Sequence, residues 1–389
     1  MKIGRLSLLG LLLIFSLSIT FNSCNKMNAE WAELVPLPPH VPGAVQPGVA
    51  GPFAGLHGNT LIVAGGANFP DTMPWHGGRK KYHNEIYMLQ LPSGMEDWKV
   101  MAGSDGFPRP VAYGASASVK AGVVCMGGET ESGMTDEVCI ISVAGGRPLI
   151  TPLPHLPVPL SGAAAAAAGS VVYIAGGQSP YGSSRSLWSL DTEEISSGWK
   201  KHAEMPLPLI NSVMAAVEGD DLTIWMIGGR TRGEGDHTSV IRPEIFRYSP
   251  AADRWTLEGD LTGVTGVMPL AAGTGAAIDN RYVALFGGND GSVFNRVEAV
   301  LSDMVTESDT TRMKELKDEY ISLQESHPGF SRAVVILDTE TGKCTQAGEV
   351  PGPAQVTTIA VQTPWGIVIP SGEIKPGVRT TTVRMATFR

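Results

Sequence analysis

The chain has 389 residues, of which 47 are glycine and 28 proline, while charged residues make up 17% and hydrophobic residues 43%. Glycine and proline both exceed their usual shares of about 7% and about 5%, which excludes a coiled coil and announces many turns between short strands; the apolar content excludes a disordered chain. The formal charge is −9; without the first 23 residues, which hold Lys2 and Arg5 and no acid, 27 basic and 38 acidic residues give −11, and an acidic body argues against nucleic acid as a partner.

The N-terminus reads as a targeting segment over residues 1–23. Met1–Arg5 is a short basic start, and Leu6–Ile19 is an apolar run of 14 residues, too short to span a bilayer comfortably. Phe21-Asn22-Ser23-Cys24 follows. A small residue before Cys24 resembles a bacterial lipoprotein signal, which predicts lipidation of Cys24, export to the periplasm and a membrane contact through that anchor alone. A soluble exported protein cut nearby is the alternative. Cys125, Cys139 and Cys344 remain, an odd number that does not suggest a disulfide framework, although Cys125 and Cys139 can lie on neighbouring strands.

From residue 30 to 389 the chain repeats one unit. A β-rich run ends in a glycine pair at Leu61–Gly66, Val123–Gly128, Val171–Gly177, Ile224–Gly229 and Val283–Gly288; a sixth run, Gly366–Gly372, lacks the first glycine. The second glycines fall at 66, 128, 177, 229, 288 and 372, with spacings of 62, 49, 52, 59 and 84. That period is in the range of kelch-type propeller blades. Small residues precede each pair, as an innermost strand near a crowded axis requires. Ala163–Ala168 invites a helix because alanine favours one, but the run is short and Gly162 and Gly169 bracket it. Third strands are expected at Glu85–Gln90, Glu137–Ser142, Ser186–Leu190, Ile245–Tyr248 and Ala333–Leu337. Fourth strands open near Trp98, Trp199 and Trp255, with Cys344 in that place in the fifth unit.

The last unit, 351–389, holds three strands, and Trp31–Pro36 reads as a fourth without companions. Joining them closes the ring and removes two sheet edges. The predicted fold is therefore all-β: a single six-bladed kelch-type β-propeller with ring closure by the N-terminal strand. The long spacing of 84 reflects a helical insertion in the fifth blade, about 295–329. Asp309 can cap a helix whose Met313, Leu316, Tyr320 and Leu323 share a face. The insertion is either a solvated decoration or a flap over the ring mouth.

Residues after each glycine pair and before each first strand surround the same mouth, and functional residues concentrate on such loops. Its polar candidates are Asn68, Arg109, Glu129, Gln178, Arg230, Asn289 and Glu373; Arg109, Glu129, Asn289 and Arg230 are the candidate substrate-binding residues. In Ser371–Arg379 the Pro376-Gly377 turn lets an acid, Glu373, and an arginine, Arg379, face one ligand across six residues. Such a pair suits an anionic substrate that undergoes proton transfer; a salt bridge pinning the turn is the plainer alternative. No histidine pair has metal-ligand spacing, and His76 and His83 read as parts of a solvated loop. There is no phosphate-binding glycine loop and no nucleophile elbow, so no metal or cofactor is expected.

Gly372-Glu373-Ile374-Lys375-Pro376-Gly377-Val378-Arg379 resembles the G-E-x-K-P-G-x-R signature of the sialic acid mutarotases, or N-acetylneuraminate epimerases. Pro47–Gly51, Phe53-Ala54-Gly55 and Gly127–Thr130 look like segments from that family's C-terminal half. The order is permuted, which a closed ring tolerates. The resemblance implies an exported six-bladed propeller that interconverts the α and β anomers of N-acetylneuraminate without a cofactor. It implies Glu373 as proton acceptor and Arg379 as a catalytic partner that binds the substrate carboxylate. Pro370-Ser371 and Pro208-Leu209-Ile210 depart from the pattern. A non-catalytic glycan-binding or scaffolding module remains the alternative; a sialidase is disfavoured because its S-x-D-x-G-x-T-W boxes are missing.

Overall fold

Each repeat builds one antiparallel sheet of four strands: a tight turn joins the first and second, and a longer loop joins the second and third. The computed structural model describes residues 27–39, 43, 45–92, 97–233, 238–262, 264 and 270–389. The expected signal segment and Cys24 lie outside the described residues. Blade 1 runs Phe53–His57, Thr60–Ala64, Ile86–Gln90, Lys99–Met101 from axis to rim. Blades 2, 3, 4 and 5 begin at Ala115–Val119, Ala164–Ala168, Val213–Glu218 and Thr274–Ile278 and follow the same order. The alanine run is thus an inner strand, because close-packed small side chains at the axis outweigh helix propensity. Blade 6 is Val361–Thr363, Gly366–Pro370 and Val383–Phe388, completed by Ala29–Leu34. In that last pair Trp31 faces Ala386, so the N-terminal strand closes the ring of six blades, as expected.

The glycine pairs join neighbouring blades. Gly65 has φ +68°, and a Cβ there would stand 2.5 Å from the Val111 carbonyl oxygen of the next blade. Only glycine accepts both conditions without strain. The second glycine then donates its N–H to the same kind of carbonyl: Gly66 to Val111 at 2.8 Å, Gly128 to Leu160 at 2.7 Å and Gly229 to Leu270 at 2.7 Å. In the sixth unit Ser371 takes the first position at φ +52°. Gly372 keeps the docking bond by donating its N–H to the Val49 carbonyl at 2.9 Å, and the Ser371 hydroxyl adds to it by accepting the Val49 N–H at 2.9 Å and donating to the Thr380 carbonyl at 2.7 Å.

One step further toward the axis lies a second ring. Gly51, Tyr113, Gly162, Asn211, Ala272 and Thr357 all have positive φ, between +51° and +63°. Each N–H donates to the carbonyl of the preceding member, from Tyr113 to Gly51 at 2.7 Å round to Gly51 to Thr357 at 2.7 Å. Six backbone hydrogen bonds therefore close head to tail around the mouth. At the rim, tryptophans bridge blades by donating Nε1–H to backbone carbonyls: Trp98 to Val35 at 2.8 Å, Trp199 to Pro154 at 2.9 Å and Trp255 to Ala203 at 2.9 Å. Each such bond is worth about 1 kcal/mol net. Cys125 and Cys139 are register partners on adjacent strands and are free thiols.

The insertion between strands two and three of blade 5 holds two helices, α1 (Ser292–Thr306) and α2 (Thr310–Glu325). Asp309 caps α2 by accepting the Arg312 N–H at 2.8 Å, and Leu316 is buried on its inner face. The first helix begins three residues before the expected insertion. Its start, Gly291, carries no capping side chain.

Candidate functional site

The residue after each second glycine pairs with the residue before each member of the inner ring. The bridges are Ala50 with Ala67, Ala112 with Glu129, Ser161 with Gln178, Ile210 with Arg230, Ala271 with Asn289 and Val356 with Glu373. The repeat therefore sets Glu129, Gln178, Arg230, Asn289 and Glu373 at equivalent heights around one mouth. Their side chains diverge from there.

Glu373 and Arg379 are direct partners on the short hairpin around Pro376-Gly377. Arg379 Nη1 donates to Glu373 Oε1 at 2.7 Å, and the Gly377 N–H donates to the same oxygen at 2.8 Å. Among the described residues no hydrogen bond reaches Oε2. The Arg379 side chain is 4% exposed and that of Glu373 19%. The guanidinium lies over Phe69, 5.0 Å from its ring centroid, and Nε reaches the Ala67 carbonyl at 3.4 Å. A charge buried this far needs its partner, so Arg379 holds one carboxylate oxygen and leaves the other without a protein donor among the described residues.

A cleft of about 290 Å³ brings Glu373 together with Asn289, Phe294, His327 and Thr357. Val293, Phe294 and Val297 of α1 form its wall, so the insertion contributes to the mouth rather than decorating the surface. His76, from the loop of blade 1, pairs with Glu325 of α2 at 2.9 Å on the outer side. Asn289 uses Oδ1 to accept the Gly291 N–H at 2.8 Å, which turns the chain into α1. His327 accepts the Gly329 N–H on Nδ1 at 3.0 Å, which places the ring proton of the neutral form on Nε2. Burial pushes its pKa below the ordinary histidine value, against the pull of Asp290.

The other expected residues have different surroundings. Glu129 accepts from Ser161 Oγ at 2.7 Å and from the Tyr82 hydroxyl at 3.3 Å, with Lys80 Nζ at 3.6 Å. Arg230 donates to Ser239 Oγ at 2.9 Å and lies over the Phe294 ring, 5.2 Å from its centroid; burial pushes its pKa down. Arg109 pairs with Glu137 at an exposed position, and the contacts joining Glu373, Arg379 and Glu129 to the mouth do not include it. His83 corrects the solvated-loop expectation: its side chain is 10% exposed and bonds Asn68 Oδ1 at 2.9 Å and Glu85 at 3.2 Å.

The expectation also missed Tyr113, Lys80 and Tyr82. Lys80 Nζ lies 4.6 Å from the Tyr113 ring centroid and 5.5 Å from that of Tyr82. Burial raises the Tyr113 pKa to about 12, while Arg379 beside it pulls the other way. The repeat did carry a signal for Tyr113: it occupies the place where the first and third units have Gly51 and Gly162.

The sequence matches the profile of a family described as N-acetylneuraminate epimerase in two stretches, residues 16–150 and 153–389. Curated relatives carry the same name. One from Vibrio vulnificus is 26% identical over 239 residues, 60% of this chain and 59% of the relative. One from Vibrio cholerae is 25% identical over 239 residues, again 60% and 59%. One from Yersinia enterocolitica is 38% identical over 117 residues, 27% of this chain and 28% of the relative. The chain thus spans 59% of the length of the first of these relatives. The two profile stretches cover nearly all of it, the repeats among them, and on that match the chain belongs to the N-acetylneuraminate epimerase family.

Proposed function

We propose that the protein is a mutarotase interconverting the α and β anomers of N-acetylneuraminate. The observation that carries this is the Glu373–Arg379 pair, with one carboxylate oxygen held by Arg379 and the Gly377 N–H and Glu373 lining a cleft of sugar size. The sugar is a cyclic hemiketal acid, and inverting its anomeric centre requires ring opening, rotation and reclosure. Glu373 takes the proton of the anomeric hydroxyl. Arg379 binds the substrate carboxylate; a guanidinium has five N–H donors and spends two on Glu373 and Ala67 here. A substrate carboxylate that draws on Arg379 weakens its hold on Glu373, and a carboxylate losing its cation gains proton affinity. The substrate thereby helps to prepare its own base. Asn289 lines the same cleft and suits the polar substituents of the sugar, while Glu129 and Arg230 serve from its margins. Export and a lipid anchor on Cys24 complete the reading, on the strength of the N-terminal segment alone.

The test is proton NMR on freshly released α-N-acetylneuraminate, followed to anomeric equilibrium with wild type, with Glu373→Gln and without protein. Acceleration by wild type and a loss of about 100-fold or more in the variant is expected. Equal rates for the two proteins would move the base elsewhere. No acceleration by folded wild type would favour a non-catalytic sugar-binding module, in which the buried ion pair simply pins its turn.

A further inference from the structure

Ring opening needs two proton transfers, and Glu373 accounts for one. The mutarotase reading, on which this inference rests, lacks the group that protonates the ring oxygen. We infer that Tyr113 donates a proton to the ring oxygen as the hemiketal opens and recovers it as the ring closes.

Tyr113 is held in a conformation that a bulky side chain avoids. Its φ is +60°, and a non-glycine residue there costs about 1–3 kcal/mol, a strain that gathers at functional sites. Of the six members of the inner ring it alone carries an ionisable side chain. The phenol ring lies across Gly51: a Cβ on that glycine would stand 2.5 Å from Tyr113 Cδ1. Tyr113 thus leans over blade 1 toward Arg379 of blade 6. It lines the mouth of the axial channel together with Asn211, Ala272 and Thr357, and those three also line the cleft of Glu373. A single sugar at the mouth can therefore meet both groups.

The charges around the phenol suit a donor. Arg379, Glu373, Glu129, Lys80 and Tyr82 face or adjoin it. The phenol is protonated at neutral pH; after donation Arg379 stabilises the phenolate against Glu373 and Glu129, and Lys80 lies over its ring. Glu129 is the poorer candidate, since its oxygens are already engaged as acceptors of the Ser161 and Tyr82 hydroxyls, with Lys80 Nζ at 3.6 Å. His327 is poorer too, since a neutral imidazole is a very weak acid. The step balances. The anomeric O–H proton goes to Glu373, its electron pair forms the carbonyl, the bond from the anomeric carbon to the ring oxygen breaks toward oxygen, and that oxygen takes the phenol proton. Reclosure on the other carbonyl face returns both protons.

The test compares the purified wild-type protein with Tyr113→Phe and with 3,5-difluorotyrosine incorporated at position 113, on α-N-acetylneuraminate by NMR. The phenylalanine variant should lose about 100-fold or more in kcat, with KM and thermal midpoint close to wild type. The fluorinated protein should be active near neutral pH and lose activity at alkaline pH, where the wild type holds. A phenylalanine variant with near wild-type kcat, or a fluorinated protein with the wild-type pH profile, overturns the assignment to Tyr113 and leaves the mutarotase reading standing. A wild type that accelerates nothing overturns both.

Discussion

Gly51 meets two demands at once. Its φ is +63°, and a Cβ there would stand 2.6 Å from the Tyr113 backbone nitrogen. Backbone cannot step aside without disturbing the inner hydrogen-bonded ring. Gly58 offers a comparison, since its φ is +58° but nothing lies within 4 Å of its Cβ position. Gly58→Ala should therefore cost only the conformational term, about 1 kcal/mol. Gly51→Ala should cost about 3 kcal/mol or more, because the collision adds to that term. Urea denaturation of both variants gives the answer. Equal losses would mean that the contact with Tyr113 relaxes freely and that the ring imposes nothing beyond φ.

At the scale of elements, Ala29–Leu34 covers the outer edge of Val383–Phe388, and Trp31 packs edge-on against Phe286 at 5.6 Å in blade 5. Deleting residues 29–34 should expose a strand edge, lower the denaturation midpoint and produce concentration-dependent association. Sedimentation of a stable monomer after deletion would show the closure to be dispensable. That strand was legible in the sequence because three strands at one end called for a fourth. The blades were legible because the glycine pairs repeat a backbone requirement. Asp309 announced α2, but α1 follows Gly291, which has no side chain to cap it, so that Asp290 one residue earlier accepts the Ser292 N–H at 2.9 Å, and its buried Val297 lines the cleft of Glu373. The same distinction divides the site. Glu373 and Arg379 are six residues apart across a tight turn, so spacing alone could bring them together. Lys80, Tyr113 and Glu129 meet through ring curvature, which no local spacing encodes. His83 read as solvated because no local spacing pairs it with Asn68, expected at the mouth, or with Glu85, expected to open a third strand.

The whole molecule is held by contacts between blades, and one of these junctions titrates. His202, at the end of blade 3, bonds Ser189 Oγ through Nε2 at 2.7 Å and the Tyr248 hydroxyl through Nδ1 at 3.0 Å. Tyr248 in turn donates to Asp253 at 2.6 Å, and Asp253 also accepts the Ala203 N–H at 2.8 Å. The order of Ser, His and Asp suggests a hydrolase, but Ser189 is 6% exposed and no substrate reaches it. The network instead ties blade 3 to blade 4. Burial, followed by the nearby Lys200, lowers the His202 pKa, and Asp253 only partly opposes this. The folded protein therefore binds fewer protons at this site than the unfolded chain does. Its contribution is complete above the unfolded histidine pKa of about 6.5 and is lost as pH falls through the window below it. His327 at the mouth has the same sign. Asp253 and Asp338, whose pKa values are lowered, lose their contribution only in the more acidic carboxylate range. Between pH 7.5 and 5.5 the histidines thus act with little interference from these acids. Urea midpoints should fall over that interval in the wild type, and His202→Gln should flatten the fall, leaving the share due to His327. A variant that keeps the full wild-type slope would show that the blade 3–4 junction does not carry the pH dependence.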